Sequence, residues 1–186
     1  MRAFATIIAV ALLSFGAESA PPLAVAASAR PPSLCAEVEE VVFGCRQGGK
    51  TVSLCAAPIA RSSKQTQLRY VFGSPQKIEL EIDQSSHPSA FTSGVSGLAG
   101  GGIDFVRVEN GDYSYVVYTG ETPGWAQDGW IVEQHGTAVS HHICKRVATG
   151  QQVWAPVYAA KLSSSRDNVT FAPPDWVGAS PPHHGR

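Results

Sequence analysis

Apolar and polar positions alternate over several short stretches between residues 40 and 144. The clearest is 77–83 (KIELEID), where Ile78, Leu80 and Ile82 alternate with Lys77, Glu79, Glu81 and Asp83. A period of two sends one set toward a core and the other toward water, whereas a helix would swing Leu80 away from Ile78 and Ile82. Residues 67–72 alternate in the same way, with Leu68, Tyr70 and Phe72 set against Arg69 and Val71. Residues 40–46 and 51–56 flank Gln47-Gly48-Gly49-Lys50. Paired glycines accept positive φ, so this is a predicted hairpin, with Cys45 facing Val52 and Phe43 facing Leu54 on one face. Asn110-Gly111 between 103–109 and 112–119 is the strongest hairpin signal in the chain. Centred there, the turn sets Val108 opposite Tyr113 and Val106 opposite Tyr115 on one face. Phe105 then meets Val116, and Ile103 meets Tyr118, on the other. Both faces carry bulk, which makes this hairpin central in its sheet or sets one face against a partner. His135-Gly136 predicts a further hairpin, with Val132 opposite Val139.

Between these runs lie segments poor in large apolar residues. Residues 84–102 are rich in Ser and Gly and read as a long loop. Residues 120–129 read as a second loop, which holds Trp125, and residues 153–158 as a cover for an open sheet edge. The fold class is all-β, with about eight antiparallel strands, enough to close a small barrel filled by side chains; a β-sandwich is the alternative. No helix is predicted in this domain. The domain organisation is a signal peptide over 1–29, a barrel-like domain over 30–160, and a tail over 161–186 whose Ser, Pro, Gly and His content reads as disordered.

The first segment changes the picture most. Arg2 precedes an apolar run of 11 residues, 3–13, too short to span a bilayer as a helix. Small residues around Ala26 and Ala29 then fit signal cleavage. The expected location is periplasmic or secreted, with no transmembrane segment in the mature chain. Formal net charge is −1 with no Lys/Arg cluster, which argues against nucleic acid and anionic membrane surfaces as partners. Cys35, Cys45, Cys55 and Cys144 are an even set in an exported chain and read as two disulfides. Four cysteines allow three connectivities, and spacing does not choose among them. The pairing favoured is Cys35–Cys45 with Cys55–Cys144, the second closing a long loop.

Candidate chemistry is sparse. His141 and His142 are adjacent on a strand and point to opposite faces, so one metal ion does not take both. No Cys-x-x-Cys or His-x-His spacing appears, and neither a metal nor a cofactor is expected. Gly94-Val95-Ser96-Gly97 approaches a nucleophile elbow but lacks the second spaced Gly and the strand-to-helix turn, so no enzyme is expected. Glu39-Glu40 and Glu79/Glu81 read as solvent-face charges. The Gly-rich loop is the candidate partner-binding element: Ser93, Ser96, Gly97, Gly100, Gly101 and Gly102, with Phe105 beyond it. Small residues let backbone donors approach a partner closely. Tyr113, Tyr115, Tyr118 and Trp125 are the candidate aromatic anchors.

Val42-Phe43-Gly44-Cys45, followed by Gly49-Lys50-Thr51-Val52-Ser53-Leu54-Cys55 and later by Gly101-Gly102-Ile103-Asp104-Phe105, resembles a group of exported bacterial proteins. More distantly it resembles the periplasmic and membrane-bound bacterial lysozyme inhibitors. The resemblance spans residues 40–144 and implies an eight-stranded barrel with a disulfide. It also implies insertion of a Ser-Gly loop into a lysozyme cleft, with Ser96, Gly97, Gly100, Gly101 and Gly102 as the loop. Phe105 stands where that family would place a Tyr, which removes a hydroxyl contact. The expected partner is thus a lysozyme or another envelope protein. A structural or stress-related envelope protein, or a small-ligand carrier, are the competing readings.

Overall fold

The computed structural model describes residues 32–60, 64–98, 100–144 and 154–164. The expected signal peptide lies outside them, as does the tail beyond Ser164. No helix among the described residues is long and apolar enough to cross a membrane, which says nothing of strands. The architecture is all-β, with ten strands in two sheets, two disulfides, one short α-helix and one 3-10 turn (Pro88–Ala90) among these residues.

The first sheet is a meander of β1 (Glu40–Gln47), β2 (Lys50–Pro58), β3 (Thr66–Ser74) and β4 (Lys77–Asp83). The first hairpin has its predicted register, Cys45 beside Val52 and Phe43 beside Leu54. The second sheet is another meander, of β5 (Phe91–Leu98), β6 (Gly101–Asn110), β7 (Tyr113–Thr122), β8 (Trp125–Gln134) and β9 (Thr137–Cys144). The two-residue strand β10 (Ser163–Ser164) lies parallel to β5 at its edge. The β6–β7 hairpin is central in this sheet, which accounts for bulk on both of its faces.

Several expectations are corrected. Residues 91–98 are a strand rather than part of a loop. Ser93, Gly94 and Ser96 pair with Val106, Phe105 and Ile103, so the neighbouring strand supplies the bulk that β5 lacks. Residues 120–129 are likewise the ends of two strands around a tight turn. The β6–β7 turn centres on Gly111-Asp112, with Gly111 at φ 61°, and the pairs become Val108–Tyr115 and Phe105–Tyr118. This slip of two residues leaves every side chain on its expected face. A bulge at Val139 places Val132 beside Ser140 instead and leaves Val139 exposed. Ile78 is exposed because a bulge shifts the β3–β4 register and turns the start of edge strand β4 outward. The segment expected to cover a sheet edge holds a short helix, α1 (Ala155–Ala159), with Trp154 and Val157 buried in the core. The tail expected from residue 161 begins with β10, which pairs with Thr92 and Ser93.

The main core lies between the inner faces of the two sheets. Val42, Leu54, Leu68 and Tyr70 from the first meet Phe91, Val106, Val117 and Trp130 from the second. The disulfides are Cys35–Cys55 and Cys45–Cys144, not the favoured pairing. Parity explains the difference. Cys45 shares the inner face with Val52 and Leu54, whereas Cys55, one residue past Leu54, points outward. Cys55 therefore holds Cys35 against the outside of β2, where Leu34 N–H also donates to Ser53 Oγ at 2.8 Å. Cys45 crosses to Cys144 and ties the edge strands β1 and β9 together.

Candidate functional site

The tips of the β5–β6 and β7–β8 hairpins lie side by side at one end of the second sheet. Gly101 sits so close to the Glu121 carbonyl that a Cβ at this position would overlap it. Gly100, at φ 80°, rests against the Pro123 ring. The tip is thus braced by its neighbour and is not a free loop. Gly97, Gly100 and Gly101 are exposed and Gly102 is half-buried. With α1, the two tips enclose an open cleft of about 1050 Å³.

The cleft wall carries residues that the sequence reading did not single out. Asp104, Thr119 and Asp128 stand in one row across β6, β7 and β8, on the same face as Val106, Val117 and Trp130. Tyr158 Oη of α1 donates to Asp104 Oδ1 at 2.7 Å. Burial, then this carboxylate, pushes the Tyr158 phenol up to about 12, so it remains a donor throughout the neutral range. Thr119 Oγ1 donates to Asp128 Oδ1; Asp128 is buried behind the wall and does not line the cleft, whose carboxylates are Asp104 and Glu121. One signal pointed here: Asp104 falls on the apolar side of an otherwise bulky strand, where an acid needs a reason. Such a wall of carboxylates, hydroxyls and glycine backbone can bind ligand N–H and O–H donors.

The other predicted residues are not gathered at the cleft. Ser93 is half-buried beside β10, and Ser96 is buried beside Ile103. Phe105 and Tyr118 are fully buried on the outer face of the second sheet, with Trp125 packed against them. There the Tyr118 hydroxyl meets Gln127 Oε1 at 2.9 Å and His141 Nε2 at 2.7 Å. Tyr115 packs against Tyr70 in the main core, their tilted rings 5.4 Å apart between centroids. Tyr113 is exposed at the opposite end of the sheet from the tips. The aromatic anchors are therefore dispersed, and only the glycines of the expected loop reach the cleft.

His141 and His142 do point to opposite faces. His142 stacks on Trp130 with ring centroids 4.0 Å apart, and burial, then the neighbouring His141, lowers its pKa. Glu39 is no solvent-face charge. It is bound by Arg69 Nε at 2.9 Å and Nη2 at 2.5 Å, and Arg69 Nη1 also donates to Glu81 at 2.8 Å. Cys35, Glu39 and Cys55 bring ligand atoms within 4.8 Å of one another, but both sulfurs are consumed in their disulfide. The chain matches no protein-family model, no curated protein and no solved structure at a significant level.

Proposed function

We propose that this chain is an extracytoplasmic binding module that engages another protein at the paired hairpin tips, with a lysozyme as the first partner to test. The observation that carries the reading is the braced glycine tip beside an open cleft with a carboxylate and hydroxyl wall. Bare glycine backbone at Gly97 and Gly100 offers close approach, and bracing against Pro123 lowers the entropy lost on docking. Two disulfides and the signal-like start support a periplasmic or secreted setting. Phe105 drops out of the contact, since it lies in the buried outer-face cluster. We read the two sheets as a sandwich tied at one edge, because no backbone ladder joins them among the described strands.

The test is lysis by C-type and invertebrate-type lysozymes with the purified mature protein added at micromolar concentration. Inhibition that rises with protein and is lost in Gly100→Trp supports the assignment. Undiminished lysis removes lysozyme as the partner. A second reading, a small-ligand carrier, is favoured by the Asp104–Tyr158 pair facing the cleft. It predicts a bound small molecule in native mass spectra of the purified protein, lost in Asp104→Asn.

A further inference from the structure

Asp104 is a carboxylate placed without a counter-charge. It is half-buried in the cleft wall, on the side of β6 that carries Val106 and Val108 into the core. Its Oδ1 accepts from Tyr158 Oη, and its Oδ2 accepts from none of the described residues. No Lys, Arg or His pairs with it among those residues. The cross-strand neighbours do not fill the gap. Val95 on β5 is apolar, and Thr119 on β7 gives its hydroxyl proton to Asp128. A carboxylate withdrawn from water is costly until both oxygens are bound, and a cationic donor binds it most strongly.

The ring that orients this carboxylate is itself open to solvent. Tyr158 exposes 59% of its surface and Val95 49%, so the mouth of the cleft at Asp104 is uncovered. The helix behind the ring is nonetheless fixed. Its Val157 and the preceding Trp154 are buried in the main core, and Pro156 O accepts from Thr66 Oγ1 at 2.6 Å. Tyr158 thus presents an aromatic face on a rigid support, beside an oriented carboxylate. Glu121, exposed near the end of β7, adds a second carboxylate to the lining.

We infer that the cleft takes an arginine side chain of the partner, its guanidinium paired with Asp104 and laid along the Tyr158 ring. This deepens the binding-module reading and rests on the cleft being its docking site. Three properties select a guanidinium. Its planar fork matches a carboxylate, its flat face stacks on an aromatic ring, and it is more weakly hydrated than an ammonium. A saccharide also stacks on a ring and donates to a carboxylate, but it leaves the charge of Asp104 unpaired.

The test titrates the purified mature protein with N-acetyl-arginine methylamide and follows its NMR shifts. Those of Gly100–Gly102, Asp104 and Tyr158 should saturate together. The citrulline analogue keeps the shape without the charge and should bind about five-fold more weakly. The lysine analogue should also bind more weakly than arginine. Asp104→Asn should abolish the difference between arginine and citrulline. Should that variant not fold, Tyr158→Ala, at an exposed ring, takes its place and should weaken arginine binding several-fold. Citrulline or lysine binding as tightly as arginine, maltotriose saturating the same shifts more readily, arginine binding unchanged in the folded variant, or no saturable shift overturns the proposal. The arginine derivative probes the site whatever the partner is, so its failure to bind and undiminished lysis by lysozyme are separate results.

Discussion

Arg69 and Glu39 show how one contact turns an apparent surface charge into part of the scaffold. Both side chains are mostly withdrawn from water, and Arg69 reaches Glu39 with two nitrogens while holding Glu81 with a third. Two parallel N–H donors to one carboxylate fix geometry as well as charge. Glu39→Ala strands a half-buried guanidinium and should cost about 1–2 kcal/mol, read as a lowered denaturant midpoint. Glu79→Ala removes the exposed partner of Lys50 and should leave the midpoint in place. Equal losses in the two variants would refute this ranking. His142 supplies a pH dependence at the same scale. Its folded pKa lies below the usual value of about 6.5, so as pH falls the unfolded chain takes up a proton first. Stability from this group is complete above about pH 6.5 and is lost as pH falls through the folded pKa. The thermal midpoint should therefore fall between pH 7 and 5.5 more steeply in the native protein than in His142→Gln. Parallel profiles would assign the slope to other groups.

At the scale of elements, the hairpin tips depend on Gly101. A methyl group there meets the Glu121 carbonyl, which cannot move without breaking the β6–β7 pairing. Gly101→Ala should cost about 1–3 kcal/mol and loosen both tips, seen as faster amide exchange at Gly100–Gly102 and Glu121. Exchange unchanged at Glu121 would show that the tips are not coupled. The strands β1–β4 and β6–β9 were legible because alternation and Gly-containing turns mark them directly. β5 was not, since its Ser and Gly residues carry no pattern of their own and borrow bulk from Ile103 and Phe105. The bulges at Val139 and near Ile78 were equally hidden: nothing local distinguishes a bulged strand from a straight one. At the cleft, the glycines were legible as a tip. Its polar wall was not, because Asp104 meets Tyr158 across 54 positions. The face of Asp104 could be read by parity, but its partner could not.

The whole molecule is held by two cross-links of different reach. Cys35–Cys55 spans 20 positions and fastens a strap to one sheet, while Cys45–Cys144 spans 99 and joins the edges of both. In the chain-entropy view, the shorter loop restricts the unfolded chain by about 3 kcal/mol and the longer by about 5 kcal/mol. Place adds to length. Losing Cys35–Cys55 frees chain that covers Ser53 on β2 but leaves the inner core shared by both sheets. Losing Cys45–Cys144 lets β1 and β9 separate and opens that core from its edge, where Val42, Phe43 and Trp130 are buried. Cys45→Ser/Cys144→Ser should thus lower the thermal midpoint more than Cys35→Ser/Cys55→Ser. It should also be the variant that loses near-ultraviolet aromatic dichroism first on warming. The reverse order would mean that the strap on the first sheet, not the tie between the sheets, is what holds the two layers in register.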